Sequence, residues 1–197
     1  MKKMITAFKM AYGYLFCFPH LIAFYLSKNK KIIAADILRW LPILNQTYNV
    51  PAGLIYLLSH YPEYRNPCYF RVGPAKYVLS ILCPKMSSLK VNAQEVGEGL
   101  YIQHGETTRI GAKSVGKNCW INQQVTIGWE QKGRPVIKDN ERIGAGAKII
   151  GDVVVGNNVI IGANAVIVKS VPDNCTVVGV YPAYIVRRNG QKVKEIL

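Results

Sequence analysis

Six residues is the period that governs the second half of this chain. Ile or Val stands at positions 137, 143, 149, 155, 161 and 167 without a break, again at 115, 121 and 127, and at 96 and 102, with Ile110 between the last two runs. An amphipathic helix repeats its apolar positions every three to four residues and a half-buried strand every two, so neither explains a strict six. A chain that turns a corner after each short strand does. Small or polar residues often follow the aliphatic one, as in Ile143-Gly144, Val155-Gly156 and Ile161-Gly162, and four positions on lie Ala147, Val153, Val159 and Ala165. Three such hexads close a triangular coil with the aliphatic side chains inside, glycine supplying the backbone freedom for the corners. Coils stack through backbone hydrogen bonds, and the result is a parallel β-helix. The step from Ile127 to Ile137 breaks the period and carries Trp129, Glu130, Lys132, Gly133 and Arg134. A loop is expected to bulge there, either as part of a binding face or as a neutral insertion.

Residues 1–88 obey another rule. Leu, Tyr, Phe and Ala dominate, and apolar residues recur at helical spacing, as in Ile37, Trp40, Leu41 and Leu44. Pro42, Pro51, Pro62, Pro67 and Pro74 each remove an amide donor, which favours several short helices over one long one. The uncharged run from Met10 to Ser27, preceded by Lys2 and Lys3, imitates a signal peptide or a membrane span. Pro19 and His20 in its middle, the lack of a small-residue cleavage site and the cluster Lys28, Lys30, Lys31 after it argue for a packed helix or one lying at a membrane surface. The expected organisation is a helical region at 1–88, a β-helix at 89–186 and a basic tail at 187–197.

The 25 basic residues against 11 acidic ones give a net charge of +14, which selects anionic partners: nucleic acid, a phosphorylated ligand or a membrane surface. No helix-turn-helix, zinc or RNA-binding motif appears and the cations are scattered, so nucleic acid is not expected. The five cysteines, Cys17, Cys68, Cys83, Cys119 and Cys175, form no CxxC pair and no metal-ligand spacing, which fits a reducing cytoplasm and no metal.

The segment Ile143 to Val171, IGAGAKIIGDVVVGNNVIIGANAVIVKSV, resembles the hexapeptide acyltransferases, most closely their serine acetyltransferase branch. The block Ile102-Gln103-His104, the stretch Gln124-Val125-Thr126-Ile127-Gly128 and the ending Pro172-Asp173-Asn174, Gly179, Pro182-Ala183 resemble it too, with Tyr181 inserted before Pro182. The resemblance implies a left-handed β-helix, a homotrimer with active sites between subunits, and acetyl-CoA as the acetyl donor. It also implies site residues. His104, the one histidine of three that lies in the repeat, would be the base that takes the proton of an attacking hydroxyl. His20 and His60 are left as structural. Backbone amides around Gly128 would hold the oxyanion, and Gln103, Trp129 and Arg134 would meet the acceptor. Ala145, Gly146 and Ala163 occupy motif positions along the pantetheine arm, and Lys169, Arg187 and Arg188 those expected of phosphate-binding cations.

Three positions depart from that branch. Gln103 replaces a carboxylate just before the histidine, Leu89 replaces the carboxylate fifteen residues earlier that orients the imidazole, and Arg134 replaces a second histidine. Glu106 and Glu130 remain as carboxylates to orient His104. A neutral glutamine and an arginine receive the ammonium of serine poorly, so the expected acceptor is a carbohydrate hydroxyl in surface-polysaccharide synthesis. Serine acetylation in cysteine biosynthesis is the alternative, and an inactive trimeric scaffold is a third. The protein is expected in the cytoplasm, with peripheral contact at the inner face of the membrane left open.

Overall fold

A computed structural model describes the backbone of residues 2–131, 133–179 and 182–197, and side chains within them from residue 13 onward. Lys132 and Tyr181 fall outside the described residues. The chain divides into two units, residues 1–87 and 88–197.

The first unit holds five α-helices: α1 (Lys2–Leu26), α2 (Lys30–Ile43), α3 (Val50–His60), α4 (Pro62–Val72) and α5 (Lys76–Leu82). Pro51 and Pro62 sit in the first turns of α3 and α4, where a missing amide costs nothing, and Asn49 caps α3 by accepting from the Ala52 amide at 3.0 Å. Contrary to the punctuation expected of them, Pro42 and Pro67 lie inside helices, as does Pro19. Packing overrides the lost hydrogen bond: Trp40, Ile37, Leu54, Ile55, Leu57, Leu58 and Tyr64 are all buried, and Arg71 pairs with the equally buried Asp36 at 3.1 Å. Among the described residues no helix is long and apolar enough to cross a membrane.

The second unit is the expected parallel β-helix. Its first face stacks β1 (Lys90–Val91), β4 (Arg109–Ile110), β7 (Thr126–Gly128), β10 (Lys148–Ile150) and β13 (Val166–Ile167). The second face stacks β2 (Glu95–Val96), β5 (Ser114–Val115), β8 (Val136–Ile137) and β11 (Val154–Val155). The third stacks β3 (Tyr101–Ile102), β6 (Trp120–Ile121), β9 (Arg142–Ile143), β12 (Ile160–Ile161) and β14 (Cys175–Val178). The register aligns the aliphatic positions: Ile110 faces Ile127, Ile127 faces Ile149 and Ile149 faces Ile167. Every aliphatic residue of the six-residue period is buried, Val96 being the most accessible at 9%. Each contributes roughly 1.5–3 kcal/mol of apolar burial, which is why the period is so strict.

The corners work differently from the reading of the glycines. None of Gly144, Gly156 and Gly162 has a positive φ. They are small because the next coil is close: a Cβ on Gly144 would lie 2.6 Å from the Ala163 amide nitrogen, and one on Gly156 would collide with Asp173. Between the second and third faces the left-handed residue is Gly99 in the first coil, at φ 78°, and an asparagine in each later one, Asn118, Asn140, Asn158 and Asn174, with φ of 56°, 63°, 57° and 59°. They form a ladder in which Asn140 donates to Asn158 at 3.1 Å and Asn158 to Asn174 at 2.9 Å.

The insertion and the end each take a definite form. After β7 the chain makes a tight turn, with Glu130 and Gly133 exchanging backbone hydrogen bonds at 3.1 Å. Residues 187–197 are not a loose tail, since β15 (Tyr184–Arg188) and β16 (Gln191–Ile196) form an antiparallel hairpin on β14. Asn189 and Gly190, at φ of 49° and 79°, supply the paired positive angles that such a two-residue turn requires.

Candidate active site

His104 stands on the border where the third face passes into the first. Ile102 pairs with Ile121 and Ile110 with Ile127, so eight steps here oppose six in the next coil, and two extra residues are pushed out of the corner. The bulge is pinned at both ends. The Gln103 amide donates to the Ile121 carbonyl at 2.9 Å, and the Gln124 amide donates to the Glu106 carbonyl at 2.8 Å. Between these anchors His104 takes φ +67° and Gly105 φ +71°, and just beyond them Thr107 takes φ +52°. Left-handed backbone costs a non-glycine residue about 1 kcal/mol or more, and a β-branched threonine tolerates it least. The strain is spent on presenting an exposed histidine.

Among the described residues no hydrogen bond or ion pair joins the imidazole to Glu106 or Glu130. Leu89 is 1% exposed and part of the apolar core, so no carboxylate stands at that position. Gln103 is held firmly. The Trp120 indole N–H donates to Gln103 Oε1 at 3.1 Å and to Asn122 Oδ1 at 2.9 Å, Tyr101 packs edge-on against the indole at 4.7 Å, and the Arg142 guanidinium lies 4.9 Å from its ring centre. This cluster escaped the sequence reading, although Trp120 occupies an outward repeat position where an aromatic is conspicuous.

The small residues share the histidine's border. The Gly146 amide donates to the Gln123 carbonyl at 3.0 Å and the Asn164 amide to the Ala145 carbonyl at 2.8 Å, which stacks Ala145-Gly146 and Ala163-Asn164 one coil apart. Gly146, at φ +74°, has no room for a Cβ because Asn164 Oδ1 fills that space. The cations named from the resemblance do not join this strip within one protomer. Lys169 follows β13, at the opposite border of the first face, and Arg187 and Arg188 lie in register with Thr176 and Cys175, at the far end of the third face. Arg188 is also engaged, 2.6 Å from Glu195. Lys148 does reach the strip, donating from Nζ to the Gln124 carbonyl at 2.7 Å. Its place directly after the Gly-Ala-Gly-Ala motif was the available signal.

Gly128, Trp129 and Arg134 occupy the other border of the first face. They line a cavity of about 220 Å³ together with Lys90, Arg109 and Thr126. The Arg134 guanidinium lies 5.6 Å from the Trp129 ring centre and donates to the Asn92 carbonyl at 3.4 Å, while Trp129 remains 62% exposed. No carboxylate lines this cavity, and neither does His104. One chain alone therefore does not bring Gln103 and His104 together with Gly128, Trp129 and Arg134, because the width of the first face separates them. A wider groove of about 480 Å³ on the second face, lined by Glu95, Ser114, Lys138 and Asp139 among others, contains no histidine. Among the described residues no group of three or more His, Cys, Asp or Glu is placed to hold a metal ion.

Residues 134–169 match the bacterial transferase hexapeptide (six repeats) family. The serine acetyltransferase of Staphylococcus epidermidis is 36% identical over 151 residues, covering 72% of this chain and 68% of that protein. That of Synechococcus elongatus is 38% identical over 125 residues, covering 60% of this chain, which spans only 51% of that relative's length. Among solved structures, serine acetyltransferase of Neisseria gonorrhoeae in complex with serine superposes with a TM-score of 0.67 at 26% identity, over 85% of this chain and 72% of that one. The coil is thus of the left-handed class. The extent of the Staphylococcus match, the shared fold and the repeat together place this chain in the serine acetyltransferase family of hexapeptide-repeat proteins.

Proposed function

We propose that this protein is an acetyl-CoA-dependent O-acetyltransferase in which His104 is the general base. The observation that carries the reading is the strained, outward-bulged corner that presents His104 on the same border as the small residues Ala145, Gly146 and Ala163. A thioester's extended arm needs such a strip, because only small side chains let pantetheine amides approach the backbone. His104 takes the proton of the acceptor hydroxyl as its oxygen attacks the thioester carbonyl. Backbone amides near Gly128 stabilise the tetrahedral oxyanion, and the coenzyme thiolate leaves with that proton.

The first face supports a trimeric assembly. Its two borders carry the two halves of the site, His104 on one and Gly128, Trp129 and Arg134 on the other. Three copies packed about a threefold axis along this face would set one protomer's His104 border against the next protomer's Trp129 border, completing three equivalent sites.

The relatives support L-serine as the acceptor, and with it our reading of a role in cysteine biosynthesis in the cytoplasm. A carbohydrate hydroxyl is the second reading, favoured by Leu89 in the core and by Gln103. An indole N–H only donates, so the Gln103 oxygen faces Trp120 and its NH₂ group faces away. That edge offers donors to an acceptor and nothing to an ammonium. Thiol release from acetyl-CoA with free L-serine, with His104→Ala alongside, tests the proposal: serine-dependent turnover lost in the variant establishes the first reading. Turnover only with sugar acceptors establishes the second, turnover indifferent to His104 removes its catalytic role, and failure to bind acetyl-CoA leaves the inactive scaffold.

A further inference from the structure

Helix α1 is apolar on two opposite sides, and only one of them is covered. Gly13, Cys17, His20 and Phe24, at spacings of four, three and four, are buried in the helical unit. Tyr14, Leu15, Phe18, Ile22, Tyr25 and Leu26 are exposed by 47%, 74%, 58%, 47%, 53% and 80%. At about 100° per residue these six occupy a continuous arc of about 120°, centred opposite the packed side. A helix with apolar character all round is normally buried, so this stripe calls for a partner. Helix α5, which packs on α1, also exposes apolar residues, Tyr77, Val78 and Ile81, each by at least 67%.

Charge decides which partner. Residues 1–87 carry eleven Lys or Arg against two Asp or Glu, a net of +9. Lys28, Lys30 and Lys31 are exposed directly beyond the stripe, and Lys30 Nζ lies 4.6 Å from the Tyr25 ring centre, its ammonium at the edge of the apolar surface. Two such units meeting through their stripes would bring +9 against +9. An anionic lipid surface instead receives the apolar arc in its acyl boundary, the tyrosines at headgroup level and the lysines among the phosphates. We propose that the exposed face of α1, with its flanking lysines, docks the protein peripherally on an anionic membrane surface, without crossing it. The inference is independent of the acceptor.

The test uses the full chain, sedimented with vesicles of phosphatidylcholine alone or with about one third phosphatidylglycerol. Two triple variants separate the elements: Leu15→Ser, Phe18→Ser and Ile22→Ser combined remove the stripe, while Lys28→Gln, Lys30→Gln and Lys31→Gln combined leave it intact. The expected result is binding to the anionic vesicles, little to the neutral ones, loss on removing the stripe, and a drop of about a hundredfold on removing the three lysines. Circular dichroism matching the parent confirms that the variants fold. Failure to bind anionic vesicles overturns the proposal, as does binding indifferent to lipid charge. Self-association that the stripe variant abolishes, without vesicle binding, overturns it too and assigns the face to a second copy.

Discussion

The indole N–H of Trp120 and the side-chain oxygen of Gln103 are 3.1 Å apart, and this contact orients the residue that precedes the candidate base. Trp120→Phe keeps the ring against Tyr101 and Arg142 but removes the donor, so the Gln103 amide loses its fixed orientation. We expect stability to change by less than about 1.5 kcal/mol and KM for the acceptor to rise several-fold, with KM for acetyl-CoA unchanged. Steady-state kinetics with the two substrates varied in turn checks this, and equal effects on both would mean that Trp120 supports the corner rather than the acceptor.

Glu141 is buried in the β-helix, where Oε1 accepts from the Val159 amide at 3.0 Å and Oε2 has no partner. Burial is the largest influence and pushes its carboxyl from 4.5 up to about 9, with Asp173 and Asp139 adding to it. The folded protein therefore keeps a proton that the unfolded chain releases above about pH 4.5. Stability falls as pH rises through this window and levels off above about pH 9; at pH 7 the group costs about 3 kcal/mol relative to acid conditions. Glu141→Gln removes the titration while its carbonyl still serves Val159. The variant should gain on the parent by about 1.4 kcal/mol per pH unit between pH 5 and 9, read from denaturant midpoints. A pH-independent difference would mean that Glu141 is ionised in the fold.

The β-helix was legible because its rule is local and repeats: each buried aliphatic residue sits six from the next, and a single slip would turn Ile149 or Ile161 out of the core. Motif singled out His104 and Ala145-Gly146 one by one, and the coil brings them to one border. What escaped was of two kinds. Hydrogen-bonded clusters such as Trp120 with Gln103 join residues seventeen apart, a relation that exists only once coils stack. The prolines misled because Pro42 and Pro67 are carried by tertiary packing, which outweighs a lost amide. The hairpin at Asn189-Gly190 had a local signal, the Asn-Gly turn, that the basic character of residues 187–197 obscured.

Asn158 carries two burdens, a φ of +57° and two rungs of the asparagine ladder. Asn158→Ala loses both and should destabilise by about 2 kcal/mol. Asn158→Gly loses only the rungs and relaxes the backbone, so it should cost about 1 kcal/mol. Urea midpoints of the two variants separate the contributions. Equal losses would show that side-chain pairing, not backbone conformation, selects asparagine there.

His104 itself allows function to be separated from fold, because its backbone conformation and its imidazole make different demands. Asparagine tolerates φ +67° better than most residues, and glycine tolerates it without penalty. Neither accepts a proton near neutral pH. His104→Asn and His104→Gly should therefore keep stability within about 1 kcal/mol of the parent, while acetyl transfer falls by a factor of about 10² to 10⁴. A variant that loses stability and activity together would make His104 a corner residue first. One that keeps both would move the base elsewhere, and the cations along the first face would then need to be substituted in turn.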